Sequence, residues 1–146
     1  MTMTMAMTDN DTQDLIDRYV AVWGEADDGR RAAAVRALWT DDAFHVLRAP
    51  QELRQAAAAL GFDRLELQAR GHAELEVRVA RAYREFVAPG TFTFRARGDG
   101  ERLRDVVTFR WEMVPRAGGD PAGAGLEVLV LGTDGRIARD YQFIEA

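Results

Sequence analysis

Asp105-Val106-Val107-Thr108-Phe109-Arg110-Trp111-Glu112-Met113-Val114-Pro115 is the stretch on which the fold turns. Val107, Phe109, Trp111 and Met113 share one side, and Thr108, Arg110 and Glu112 share the other. A period of two over this length predicts a strand with one packed face and one face toward solvent. Residues 125–132 follow as a nearly continuous apolar strand. Thr133-Asp134-Gly135 then turns the chain into a last strand over 136–144. Just upstream, residues 91–97 alternate, with Phe92, Phe94 and Ala96 on one side. Gly98-Asp99-Gly100 carries the hairpin signal that joins this strand to the next.

The N-terminal half has the other period. Leu15, Ile16, Tyr19, Val20, Val22 and Trp23 recur at three- and four-residue spacing and predict an amphipathic helix over 11–25, with Asp11 or Thr12 as its cap. A second helix is predicted over 30–39, with Ala34, Val35, Leu38 and Trp39 inward. Thr40-Asp41-Asp42 breaks it before a short strand over 43–48. Four consecutive alanines favour helix over 51–60, and Gly61 ends it. Leu65 and Leu67 alternate with polar residues as a short extended piece. A third long helix is predicted over 72–87, stopped by Pro89-Gly90. Helices first and strands after is an α+β pattern, with about three N-terminal helices packed on one face of a curved antiparallel sheet.

Composition narrows the chemistry. The chain of 146 residues fits one domain, expected over 11–146 behind a disordered tail at 1–10. It contains no serine, cysteine or lysine. That excludes serine and cysteine nucleophiles, Schiff-base lysines and thiolate-held clusters. Carboxylate, imidazole, phenol and guanidinium remain, a set suited to proton transfer, electrostatic stabilisation or ligand binding. A net charge of −5, with arginines scattered among acids, argues against nucleic acid as a partner. No apolar run is long enough to span a membrane, and the first residues lack a secretory pattern, so the cytoplasm is the expected compartment. Two histidines without a ligand spacing predict no metal, and no cofactor is expected.

The element order and four local matches resemble the cone-shaped fold shared by nuclear transport factor 2, ketosteroid isomerase and the SnoaL-like polyketide cyclases. The matching segments are Asp17-Arg18-Tyr19-Val20, Leu38-Trp39-Thr40-Asp41-Asp42-Ala43, Phe109-Arg110-Trp111-Glu112-Met113-Val114 and Asp134-Gly135-Arg136-Ile137. The resemblance implies a pocket inside the cone. The isomerase's oxyanion tyrosine falls on Tyr19 and its oxyanion carboxylic acid on Glu127, while its general-base aspartate falls on Leu47. The leucine is a departure that speaks against isomerisation by the same route.

Each candidate has a plainer alternative. Glu127 lies in a strand that is apolar on both faces. It is either a desolvated, protonated donor in the pocket or a carboxylate paired with arginine or exposed at an edge. Tyr19 is either an oxyanion donor or a packed core ring. His45 has the parity of Leu47 and is either the proton acceptor or a core histidine. Asp140 is a second acid/base candidate. The family alignment turns Asp140 and Gln142 inward, whereas hydrophobicity alone would turn Tyr141 and Phe143 inward. Trp23, Leu47, Phe86, Phe109, Trp111 and Met113, with Leu129 and Gln142, either line the pocket or complete a core. Asp105 either guards the rim or serves the hairpin. A small apolar molecule is the expected ligand. The outer face with Thr108, Arg110, Glu112 and Val114 resembles the surface on which family members form homodimers. Two functions follow: a cofactor-independent isomerase, cyclase or hydratase, or a non-catalytic binding or dimerisation domain.

Overall fold

The computed structural model describes residues 9–62 and 65–145. Residues 1–8, most of the expected tail, lie outside the described residues. The elements in order are α1 (Asp9–Trp23), α2 (Asp28–Leu38), β1 (Trp39–Arg48), α3 (Gln51–Ala59), β2 (Glu66–Arg70) and α4 (Gly71–Ala82), which ends in a π-helical turn (Tyr83–Val87). Then come β3 (Phe92–Ala96), β4 (Glu101–Leu103), β5 (Val106–Pro115), β6 (Gly123–Leu131) and β7 (Ile137–Glu145).

The strands form one open sheet in the order β2-β1-β7-β6-β5-β3, with β4 also paired to β5. All pairings are antiparallel except β1 with β7, which run parallel. The expected wholly antiparallel sheet is corrected there. β1 and β7 lie far apart in sequence and no hairpin joins them, so no local signal sets their relative direction. The core lies between the sheet's concave face and the helices. α1 contributes Leu15, Ile16, Tyr19 and Val22, α2 Val35 and Leu38, and α4 Leu75 and Val79. These are the positions that the helical periodicity selects.

Two punctuation signals act differently from their sequence reading. Thr40-Asp41-Asp42 does not stop a helix. β1 begins at Trp39, and its register against β7 shifts between Trp39 and Phe44. Gly98-Asp99-Gly100 is not the hairpin turn either. β3 and β4 both pair with β5, so the three residues form an interruption within one edge. Asp99 Oδ1 there accepts the Arg110 backbone N–H at 2.9 Å, in place of a ladder carbonyl. A Cβ on Gly100 would lie 2.3 Å from Ile16 Cδ1, so glycine makes room for α1 at that point. The turn falls at Arg104-Asp105, with Arg104 in the left-handed region at φ 54°. An αL arginine is not a turn signal by residue type.

α2 starts where Asp27 accepts the Arg30 backbone N–H at 2.8 Å. This cap satisfies one of the free donors of the first turn. Asp27→Ala is expected to lower stability by about 1 kcal/mol and Asp27→Asn to change it little, read from urea unfolding midpoints. Equal midpoints for all three proteins would remove the cap from the account of α2.

Candidate functional site

The strand register builds two adjacent rows of inward side chains. In one, Leu47 of β1 stands beside Gln142 of β7, Glu127 of β6 and Phe109 of β5. In the next, His45 stands beside Asp140, Leu129 and Val107. Asp140 and Gln142 therefore point inward. Tyr141 packs on Phe44 on the outer face, ring centroids 5.6 Å apart, and Phe143 is 41% exposed. Hydrophobicity favours the opposite orientation because an aspartate at a core position is rare. Here the polar pair belongs to a buried network.

Hydrogen bonds tie six side chains into it. Tyr19 descends from α1, wedged among Trp23, Trp39 and Phe109, and donates its hydroxyl to Asp140 Oδ2 at 2.7 Å. Trp111 Nε1 donates to Glu127 Oε1 at 2.9 Å. Its indole reaches that far because Gly125 lies opposite, where a Cβ would fall 2.4 Å from the ring. Arg78 of α4 places Nη1 2.9 Å from His45 Nδ1, and equally far from the carbonyls of His45 and Leu67. His45, Glu127 and Asp140 are each 0% exposed.

The protons follow from this geometry. Burial, then the charge and hydrogen bonding of Asp140, hold the Glu127 carboxyl well above its ordinary 4.5. The neutral, protonated form of Glu127 is thereby favoured. Glu127 Oε2 and Asp140 Oδ1 both lack a donor among the described residues, and one proton on Glu127 supplies it. Tyr19 is held well above 10 by burial first and by the two acids next, so it stays a phenol. A guanidinium only donates, so His45 Nδ1 must accept, and the imidazole proton sits on Nε2. Burial pulls the His45 pKa down, the Asp140 charge pushes it back, and Arg78 adds to the lowering. His45 is consequently a neutral donor whose acceptor position is occupied. Its sequence role as proton acceptor needs Arg78 to withdraw.

His45, Glu127 and Asp140 can each bring one donor atom within 4.8 Å of the others, a spacing that would suit a metal ion. The tautomer opposes this. With Nδ1 taken by Arg78, binding through Nε2 would require an imidazolate, and Glu127 would have to give up its proton as well.

Above the network a cavity of about 1180 Å³ opens between sheet and helices. Tyr19 and His45 border it, as do six of the expected lining residues: Trp23, Leu47, Phe86, Trp111, Met113 and Gln142. Three expected lining residues do not. Phe109 and Leu129 are closed into the core, at 1% and 0% exposure. Their parity is right, but they sit at the end of the strands that the helices cover. Asp105 lies in the exposed turn between β4 and β5 and plays no part in the rim. Glu127 and Asp140 lie behind the cavity wall and reach it through Tyr19 and Trp111. Sequence reading missed Arg78. At four residues from Glu74 it looks like half of a surface ion pair. His72, in the first turn of α4, bonds the Trp39 carbonyl at 2.8 Å.

Three solved structures are similar over nearly the whole chain. A protein of the SnoaL-like family from Agrobacterium tumefaciens str. C58 matches with a TM-score of 0.71 and 21% identity, covering 92% of this chain and 97% of that one. A SnoaL-like protein of unknown function from Burkholderia thailandensis E264 gives 0.62 and 15%, covering 97% and 100%. A nuclear-transport-factor-2-like protein of unknown function from Mesorhizobium loti gives 0.58 and 17%, covering 92% and 91%. No protein-family model and no curated protein sequence matches the chain. What is shared at these identities is the fold, the cone of the SnoaL-like and nuclear-transport-factor-2-like proteins.

The protonated Glu127 has a signature in stability. Unfolded chains release its proton near 4.5, whereas the folded state keeps it, so its contribution falls as pH rises above 4.5 toward the raised folded value. His45 acts oppositely and only below its ordinary 6.5, because the fold holds it neutral. Glu127→Gln keeps the shape without the titration. Its stability relative to wild type is expected to climb as pH rises above about 4.5, with a limiting slope of about 1.4 kcal/mol per pH unit. Denaturant midpoints across that range test it, and parallel curves would mean that Glu127 is ionised in the fold.

Proposed function

We propose that this SnoaL-like cone binds a small, largely apolar molecule and moves a proton on it without a cofactor, in an isomerisation, an aldol-type cyclisation or a hydration. The observation that carries this is the cluster of Tyr19, His45, Glu127 and Asp140 at the inner end of a large cavity, where the buried His45 Nε2 has no hydrogen-bond partner among the described residues. Buried polar atoms are costly unless something uses them, and such clusters gather at functional sites.

In this mechanism Tyr19 is the relay and Asp140 the terminal base. As a bound carbonyl compound gives up an α-proton to the Tyr19 oxygen, the Tyr19 proton passes to Asp140 Oδ2, so Tyr19 remains neutral. The electron pair moves onto the ligand oxygen as an enolate, which the His45 Nε2–H stabilises. Glu127 stays protonated and leaves Asp140 as the single charge of the pair. Reprotonation at another carbon reverses the relay and completes an isomerisation.

A second reading, a non-catalytic binding domain, draws on Leu47, an inert side chain bordering the cavity where the resembling isomerase has its base. The homodimer through the outer sheet face is part of the proposal in either case. Thr108, Arg110, Glu112 and Val114 are half-buried there, and Phe143 stands exposed two strands from Arg110. The cysteine-free composition is compatible with a cytoplasmic location.

Exchange of 2-tetralone α-protons for deuterium, followed by NMR in D₂O, separates the two readings. The wild-type protein is expected to speed the exchange, and Asp140→Asn and Tyr19→Phe to lose about 100-fold of that acceleration. Titration with 2-naphthol, read by its ultraviolet spectrum, should still show binding to Asp140→Asn. Binding without any accelerated exchange would leave the non-catalytic reading. No binding, or exchange indifferent to both substitutions, would end the Tyr19–Asp140 mechanism.

A further inference from the structure

Arg78 lines the cavity, and the relay does not use it. It sits on α4, half-buried, in a wall that joins apolar and aromatic groups such as Trp23, Val77, Phe86 and Trp111 to the charged Glu52, Glu74, Arg81 and Glu85. All three of its hydrogen bonds leave from Nη1, toward His45 Nδ1 and the His45 and Leu67 carbonyls. Nε and Nη2 make none among the described residues. No carboxylate among the described residues lies within 4.0 Å of its guanidinium nitrogens. Its natural partner one turn earlier, Glu74, is turned away and accepts the Arg70 backbone N–H at 3.0 Å, at the start of α4. The charges of Asp140 and Glu74 act on it through space without a direct ion pair, and a guanidinium held by one nitrogen presents its other donors in a fixed plane.

We propose that Arg78 is the anion anchor of the cavity and that the ligand is an apolar ring system bearing a carboxylate. This rests on the cavity reading above and adds the second polar end of the ligand. A carboxylate fits because its two oxygens match the edge made by Nε and Nη2, giving two parallel charge-assisted bonds. The ring system then lies along the aromatic wall. The anchor also couples to the relay. A carboxylate on Arg78 neutralises the charge that lowers the His45 pKa, so occupancy would make the imidazole more basic.

The test compares 2-naphthoate with its methyl ester and with 2-naphthol, followed by quenching of tryptophan fluorescence at about 0.1 M salt. Naphthoate is expected to bind about tenfold tighter than the ester. Arg78→Met and Arg78→Gln should each abolish that preference, and Arg84→Met, on the exposed π-helical turn, should keep it. Gln retains a donor for the backbone carbonyls, so it answers the question if the Met variant does not fold. Naphthol binding with no preference for naphthoate, or a preference that survives Arg78→Gln, would overturn the anchor and leave the cavity standing. Failure of all three probes to bind would overturn both.

Discussion

Two carboxyl groups share one dry space on the concave face of the sheet, where burial and mutual repulsion penalise a second negative charge. Removing two carboxylates from water costs several kcal/mol each, and their mutual repulsion adds to that. The remedy is a proton on Glu127 and a set of donors on the remaining charge. Tyr19 gives its hydroxyl to Asp140, and Trp111 gives its indole N–H to Glu127. Each donor in turn has a structural condition. Tyr19 must arrive from α1 through a socket of three aromatic rings. Trp111 needs the missing side chain of Gly125 across the ladder. The placement of α1, the β5–β6 register and a glycine in mid-strand all bear on the same pair of acids.

The cavity is the other half of that arrangement. Helices α1, α2 and α4 cover one end of the sheet, where Phe109, Leu129, Val107 and Ile137 close into a conventional core. Toward the other end the same strands carry Trp111 and Met113 beside open space. Glu127 and Asp140 do not border that space, whereas Tyr19 and His45 do, so the charge of Asp140 is felt there through a phenol and an imidazole rather than through direct contact. Arg78 ties α4 to β1 and β2 through the same histidine, which links the wall to the floor.

Much of the fold was legible because it rests on short-range periodicity. The alternation in β5, the helical stripe of α1 and the turn at Thr133-Asp134-Gly135 are local signals, and each element forms close to its expected position. The errors fell where partners are distant. Gly98-Asp99-Gly100 has the composition of a turn, yet Ile16 of α1 needs the space there, and the chain reverses at Arg104-Asp105 instead. Phe109 and Leu129 have the parity of cavity residues but lie in the closed core. Position along a strand relative to a covering helix cannot be read from parity. Arg78 escaped notice because an arginine four residues after a glutamate is the commonest of surface patterns.

The sequence by itself determined the chemistry that is possible: proton transfer and ionic contact, with no nucleophile of the serine, cysteine or lysine kind. It also determined the order of helices and strands, because helix and strand periods are set by neighbours a few residues apart. Tertiary structure alone decided that β1 runs parallel to β7, and that Asp140 and Gln142 face inward while Tyr141 and Phe143 face out. It decided too that His45 carries its proton on Nε2, because the guanidinium that occupies Nδ1 comes from a helix 33 residues away. Side-chain direction and protonation state depend on desolvation and on partners brought together through space, and neither is a property of local sequence.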